Sequence, residues 1–196
     1  MILLCTASAC VYGVLHDQIT IRVSPEYFTL AHPKLFPTSD PTLLAFCWGI
    51  AGSWWIGAAF GLVLALILKG ATLPRVPTLR IARRLLGLFA ISAAAALFAG
   101  WVGYEVFSHS FLVPPDAVRE ADPSMDRNRF MAAWFAHLAS YVLGGAGGIL
   151  LLLRVWRECG RPHVLSFFPD SKSGVVRAVV LSTCVVALIY WRLAAP

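Results

Sequence analysis

Long stretches of mostly apolar residues dominate the hydrophobic pattern of this chain. Five of them occupy residues 1–21, 43–68, 85–107, 130–155 and 175–193, and shorter polar segments separate them. A helix needs about 20 mostly apolar residues to cross the hydrocarbon core of a bilayer, and it satisfies its backbone hydrogen bonds within the segment. The pattern therefore predicts an all-α protein: a polytopic bundle of about five transmembrane helices that forms a single domain over residues 1–196.

The composition agrees with a location in the membrane. Hydrophobic residues make up 59% of the chain and charged residues only 13%, whereas a soluble domain carries about 25% charged residues. A soluble fold with so few charges would expose large apolar patches to water. The lipid bilayer is therefore the expected environment.

Lysine and arginine are concentrated around two of the connections between the apolar stretches. Ten of the 16 basic residues, but only two of the ten acidic residues, lie near the connections around 69–84 and 154–177. Because Lys and Arg in short loops stay cytoplasmic, we expect the N-terminus inside and the C-terminus outside, in a bacterial-type inner membrane. The net charge of +6 then marks a face that meets anionic lipid, and nucleic acid is not expected as a partner.

Small residues recur at intervals of four in three of the stretches. They are Gly49, Ser53, Gly57 and Gly61 in the second, Ser92, Ala96 and Gly100 in the third, and Ser140, Gly144 and Gly148 in the fourth. Small residues let helix backbones approach closely in lipid, where apolar burial does not drive helix association. We expect these stripes to face neighbouring helices, either in this chain or in a protein partner within the membrane.

Histidines and carboxylates collect on the predicted outer side. The candidate site residues are His16 and Asp17 in the first stretch, Glu26 in the loop after it, Glu105 and His109 around the end of the third stretch, and His137 in the fourth. At about 100° per residue, His137 shares a face with Gly144 and Gly148, so we expect it to point into the bundle. Ionisable groups at membrane depth usually face the protein interior or a wet cavity.

Neutral imidazole and carboxylate are common ligands of zinc, iron and manganese. We predict that a divalent transition metal, zinc or iron, is bound by three histidines: His16, His109 and His137. Three carboxylates are predicted as further ligands or as catalytic proton-transfer groups: Asp17, Glu26 and Glu105. An open coordination position would activate water, which indicates a membrane-embedded hydrolase acting at the outer leaflet.

Other interpretations of the same residues stay open. His16 with Asp17, and Glu105 with His109, would be local polar pairs, and His32 would be an ordinary loop histidine. Two histidines on facing helices would also serve as axial ligands of a haem, and the pair would be His16 and His137. Buried ionisable groups equally suit a small transporter or a proton-handling protein. A non-catalytic subunit or assembly factor of a larger membrane complex is a further alternative.

The segment after the first stretch combines charge, aromatic residues and prolines. We predict a structured connector, and an alternative is a cap folded over the outer mouth of the bundle. The run His16-Asp17-Gln18-Ile19-Thr20, followed by Arg22-Val23 and Glu26-Tyr27-Phe28-Thr29, resembles a pattern of small uncharacterised bacterial multi-pass membrane proteins. The resemblance covers the N-terminal fifth of the chain and implies no activity.

Overall fold

A computed structural model describes residues 1–107 and 124–160, and every regular element within these ranges is a helix. The helices are α1 (Ile2–Val23), α2 (Pro25–Thr29), α3 (Pro41–Lys69), α4 (Thr78–Phe107) and α5 (Arg127–Glu158). Four of them, α1, α3, α4 and α5, are long and apolar enough to cross a membrane. This confirms the all-helical class and fits an integral membrane protein. The predicted span 175–193 lies outside the described residues, so the count of five stays a prediction.

Polar caps and charged turns extend the helices beyond their apolar stretches. The Asp40 carboxylate accepts a hydrogen bond from the Leu43 amide, and Pro41 stands in the first turn of α3. The Asp126 carboxylate caps α5 in the same way. These side chains satisfy amide groups that have no partner within the helix. The third span begins at Thr78 instead of residue 85 because its first two turns are helical but carry arginines, which hydropathy alone does not include.

The glycine stripe of α3 packs directly against α1. A Cβ atom at Gly57 would lie 2.7 Å from both the Cys5 carbonyl oxygen and the Thr6 Cα atom, and one at Gly61 would lie 2.7 Å from the Ile2 Cα atom. Such separations leave room for hydrogen only. The predicted use of this stripe in helix packing is confirmed, and it holds α1 and α3 together along most of their length.

The other pair of long helices, α4 and α5, uses its small residues less uniformly. A Cβ atom at Gly100 would lie 3.2 Å from the Ala132 carbonyl oxygen, so the stripe of α4 faces α5 as predicted. Gly148 faces Phe60 of α3, but no described atom comes within 4 Å of a Cβ at Gly144. The expectation that the stripe of α5 faces a neighbour is therefore confirmed at Gly148, and at Gly144 it stays a prediction because the described residues leave that position uncovered.

Two apolar clusters mark the two ends of the bundle. One surrounds Ile21, Phe28 and Phe130 and joins the end of α1, the whole of α2 and the starts of α3 and α5. We refer to it as the α2 end. The other cluster contains Cys5, Leu64, Val155 and their neighbours at the opposite end. The alternating helix directions agree with four successive crossings, while the assignment of the α2 end to the outer side stays a prediction.

Candidate metal site

Three of the predicted site residues come together near the α2 end of the bundle. His16 and Asp17 lie on α1, His137 lies on α5, and one potential ligand atom from each falls within 4.8 Å of the other two. Asp17 retains 8% and His137 4% of its accessible surface. Among the described residues, this is the group of histidine, cysteine and carboxylate side chains that has the spacing of a metal site.

The hydrogen bonds of His137 determine where its protons are. Its Nδ1 lies 2.8 Å from the carbonyl oxygen of Ala133, one helical turn earlier, and its Nε2 lies 3.2 Å from Asp17 Oδ1. A carbonyl oxygen only accepts, so Nδ1 carries a proton and donates it. In a neutral imidazole, Nε2 then presents a lone pair toward the carboxylate. Two acceptors this close would require a proton or a cation between His137 and Asp17.

His16 contributes a second ring nitrogen to the same region. Its ring centroid lies 4.5 Å from that of His137, in an edge-to-face arrangement. Its Nδ1 is 3.4 Å from Ser140 Oγ, which in turn is 2.8 Å from the Tyr12 hydroxyl. The other ring nitrogen, Nε2, is buried and has no hydrogen-bond partner in the described part of the chain. A buried polar atom without a partner is costly, and among the described residues this nitrogen remains available to a further ligand.

The short helix α2 covers the site. The ring of Tyr27 lies 4.4 Å and that of Phe28 5.7 Å from the His137 ring, measured between centroids. The helix is held by a bond of 2.8 Å from Ser24 Oγ to the Glu26 carboxylate and by His32, whose Nδ1 donates to the Tyr27 carbonyl oxygen at 2.8 Å. The segment after the first span is thus a cap over the bundle, the alternative that sequence reasoning had placed second.

The remaining predicted site residues lie elsewhere or outside the described ranges. Glu26 bonds to Ser24 on the cap, and Glu105 is exposed near the end of α4. Neither belongs to the group formed with His137. His109 lies outside the described residues. The metal and catalytic roles assigned to these residues stay predictions.

Sequence reasoning treated His32 as an ordinary loop residue, but its ring belongs to the cap. It lies 4.9 Å from the Tyr27 ring and 4.8 Å from the Trp48 ring, between centroids. Burial lowers the pKa of His32 below its ordinary value of 6.5. The density of aromatic residues around it in the sequence, with Tyr27 and Phe28 within one or two turns, was the available signal.

The depressed pKa of His32 predicts a stability that depends on pH. Below about pH 6.5 the unfolded chain protonates His32 while the folded protein resists doing so, so the free energy of unfolding falls as the pH drops. We expect the loss of thermal stability between about pH 7 and pH 5 to be smaller in His32→Gln than in the wild type. Equal pH dependence in both proteins would contradict this account of His32.

Removal of the Tyr27 ring is expected to open the site to water. In Tyr27→Ala, modification of His137 by diethyl pyrocarbonate, followed by peptide mass spectrometry, should proceed several-fold faster. Phe36→Ala is the matched control, because Phe36 packs on Trp48 at the same end without belonging to the rings around His137. If both variants accelerated the reaction equally, α2 would not be a specific cover.

The fold and the site together define a helical membrane protein with a buried histidine–aspartate cluster. The chain matches no protein-family model, and no curated protein or solved structure is significantly similar to it. The resemblance of residues 16–29 to small bacterial membrane proteins stays a prediction.

Proposed function

We propose that this protein is an integral metalloprotein of a bacterial-type inner membrane, in which His16, Asp17 and His137 bind one divalent transition-metal ion. The observation that carries the proposal is the buried His137–Asp17 pair. His137 Nε2 and Asp17 Oδ1 face each other at 3.2 Å. If His137 is neutral, its single ring proton is on Nδ1, where it bonds to Ala133, and no proton lies between Nε2 and the carboxylate. A cation that accepts both lone pairs would complete the pair.

The geometry of the cluster suits such an ion. Two ligand atoms on one tetrahedral zinc ion, each at about 2.0 Å from the metal, are separated by about 3.3 Å, close to the His137–Asp17 distance. Ligand histidines usually donate their second ring N–H to a carbonyl or carboxylate, as His137 does to Ala133. The Nε2 of His16, which has no hydrogen-bond partner among the described residues, would be the third atom that binds the metal.

The donor set indicates what chemistry the ion would supply. Two histidines and one carboxylate occur in catalytic zinc sites and in non-haem iron sites, both of which keep a coordination position open. The bound metal would lower the pKa of a water molecule for hydrolysis. We therefore propose a hydrolase acting near the membrane surface, with the α2 cap as the entrance. Glu26, carried by that cap, is the proposed proton-transfer group.

Proton handling is the second candidate, and the same pair favours it. A proton shared between His137 and Asp17 would also satisfy the two facing acceptors, as an imidazolium–carboxylate pair. Buried pairs of this kind occur in the proton relays of pumps and transporters. Because this candidate requires no metal, a measurement of metal binding distinguishes it from the metalloprotein proposal.

The test is a metal titration of chelator-treated protein in detergent. Cobalt is the probe, because its visible absorption reports tetrahedral nitrogen and oxygen ligands, and zinc should displace it. We expect saturation at about one ion per chain. Asp17→Asn should weaken binding by about 100-fold or more, since even outer ligand partners contribute about 10–100-fold. Absence of any saturable cobalt spectrum would contradict the metal proposal and favour the proton-handling candidate.

The Glu26→Gln variant tests the hydrolase proposal without removing a proposed metal ligand. Glu26 does not belong to the ligand cluster, so this variant should bind cobalt as the wild type does. Any hydrolytic activity found with ester or amide substrates should fall about 100-fold or more in the variant, as expected for loss of a general acid–base group. Full activity in Glu26→Gln would remove Glu26 from the mechanism.

A further inference from the structure

Two surface cavities lie side by side at the end of the bundle opposite the α2 end. One has a volume of about 300 Å³ and is lined by Met1, Ala65, Leu68, Lys69 and Arg75. The other has a volume of about 440 Å³ and is lined by Pro74, Arg75, Val76, Pro77, Arg80 and Glu158. Arg75 borders both, so the two cavities are adjacent, and we refer to them together as the groove, which extends from the end of α3 to the start of α4.

The arginines of this groove, unlike Arg84 and Arg154, have no acidic partner in the described part of the chain. Glu158 is already occupied: both terminal nitrogens of Arg84 bond to its two oxygens at 2.9 and 2.8 Å, and Arg154 Nε lies 3.1 Å from one of them. Arg75 uses its Nε on the Leu68 carbonyl oxygen at 3.0 Å. In the described part of the chain, no carboxylate pairs with Arg75 or Arg80.

The groove is amphipathic along its length. Ala65 and Leu68 form an apolar wall on the last turns of α3, which ends at Lys69. Arg75 and Arg80 stand beyond that end, one in the connection and one in the first turn of α4. Because α3 is a membrane span that terminates here, the wall lies at the edge of the hydrocarbon and the arginines lie at the level of lipid headgroups. The groove therefore changes from apolar to cationic along its length, as a bound anionic phospholipid changes from acyl chain to charged headgroup.

We propose that this groove binds one anionic phospholipid. The phosphate would lie between Arg75 and Arg80, since guanidinium groups bind phosphate oxygens through paired N–H donors. One acyl chain would lie along Ala65 and Leu68. Basic pockets between membrane helices bind anionic headgroups in this manner. The inference is independent of the metal site, which is at the opposite end of the bundle.

Native mass spectrometry of the detergent-purified full chain tests this site. The protein is mixed with equal amounts of phosphatidylglycerol and phosphatidylcholine, and the two bound lipids are counted. We expect the wild type to retain phosphatidylglycerol preferentially. Arg75→Gln combined with Arg80→Gln should reduce its retention about tenfold or more, given the contribution of each basic residue to binding of anionic lipid.

The matched control combines Arg83→Gln with Arg157→Gln. Both arginines are exposed and belong to the same basic end, but neither lines the groove, so the net charge changes equally. Retention in this control should stay within about twofold of the wild type. The single variant Arg80→Gln keeps the hydrogen bond between Arg75 and Leu68, so it should fold as the wild type does. Its retention of phosphatidylglycerol should lie between that of the wild type and that of the double variant.

Three outcomes would overturn the proposal. One is an equal loss of phosphatidylglycerol in both double variants, which would mean a general effect of charge. Another is equal retention of the two lipids by the wild type. The last is full displacement of phosphatidylglycerol by water-soluble glycerol phosphate, which would mean that the arginines bind free phosphate rather than a lipid. Cobalt binding at the His137 cluster should be unchanged in every variant, so failure here is distinguishable from failure of the proposed function.

Discussion

Protein purified without chelators is expected to contain about one zinc or iron ion per chain, and the His137→Ala variant is expected to contain almost none. His137 has its Nδ1 fixed by the Ala133 carbonyl oxygen and its Nε2 directed at Asp17, so its replacement by Ala removes a ligand nitrogen that is held in place for the ion. Elemental analysis of the detergent-purified protein, normalised to chain concentration, measures the difference.

His32→Gln is the control for that measurement. It removes another partly buried histidine from the same end of the bundle, but His32 is not a member of the ligand cluster. Metal content should therefore remain at the wild-type value. A visible absorption spectrum of the same sample tests the haem alternative, which predicts strong absorption lost with either His16 or His137. Neither metal nor chromophore in the wild type would favour the proton-handling candidate or a subunit of a larger membrane complex.

Gly57→Leu is expected to destabilise the protein strongly, because it inserts a side chain between α1 and α3. The first added carbon alone would lie 2.7 Å from backbone atoms of Cys5 and Thr6, which cannot move aside as a side chain would. Overpacking of this kind costs about 1–3 kcal/mol or more. The melting temperature in detergent, followed by intrinsic fluorescence, should drop by several degrees or more.

Gly52→Leu provides the comparison. Gly52 lies on the same helix with no described atom within 4 Å of its missing Cβ, so its helix propensity improves and the melting temperature should not fall. Because α1 carries His16 and Asp17, Gly57→Leu should also weaken cobalt binding, whereas Gly52→Leu should not. Equal stability of the two variants would mean that α1 and α3 do not pack as described.

The long apolar stretches determined the class of this protein without any tertiary information. A stretch of about 20 mostly apolar residues leaves the backbone only the helix as a way to satisfy its hydrogen bonds in lipid. The stripe through Gly49 and Gly57 likewise indicated close helix contact, because a glycine at that spacing removes the atoms that keep helices apart. The first residues of α3 and α5 were less predictable, since the caps Asp40 and Asp126 let each helix begin before its apolar residues.

The inward direction of His137 followed from the face that it shares with Gly144 and Gly148. Gly148 faces Phe60 of α3, whereas no described atom lies within 4 Å of a Cβ at Gly144. His137 is buried between α1, through His16 and Asp17, and the cap, through Tyr27 and Phe28. Helical periodicity gives the relative directions of residues on one helix, and it carries no information about a segment that folds back from another part of the chain.

Which of the candidate residues meet in one site was decided by the tertiary structure. Sequence reasoning placed six residues on one side of the membrane, and the described structure brings together His16, Asp17 and His137 while it leaves Glu26 and Glu105 apart. Residues at equal depth meet only if their helices are neighbours and their faces converge. Both conditions depend on packing between helices that are distant in the chain, so the residue types and their depth came from the sequence and their contact came from the fold.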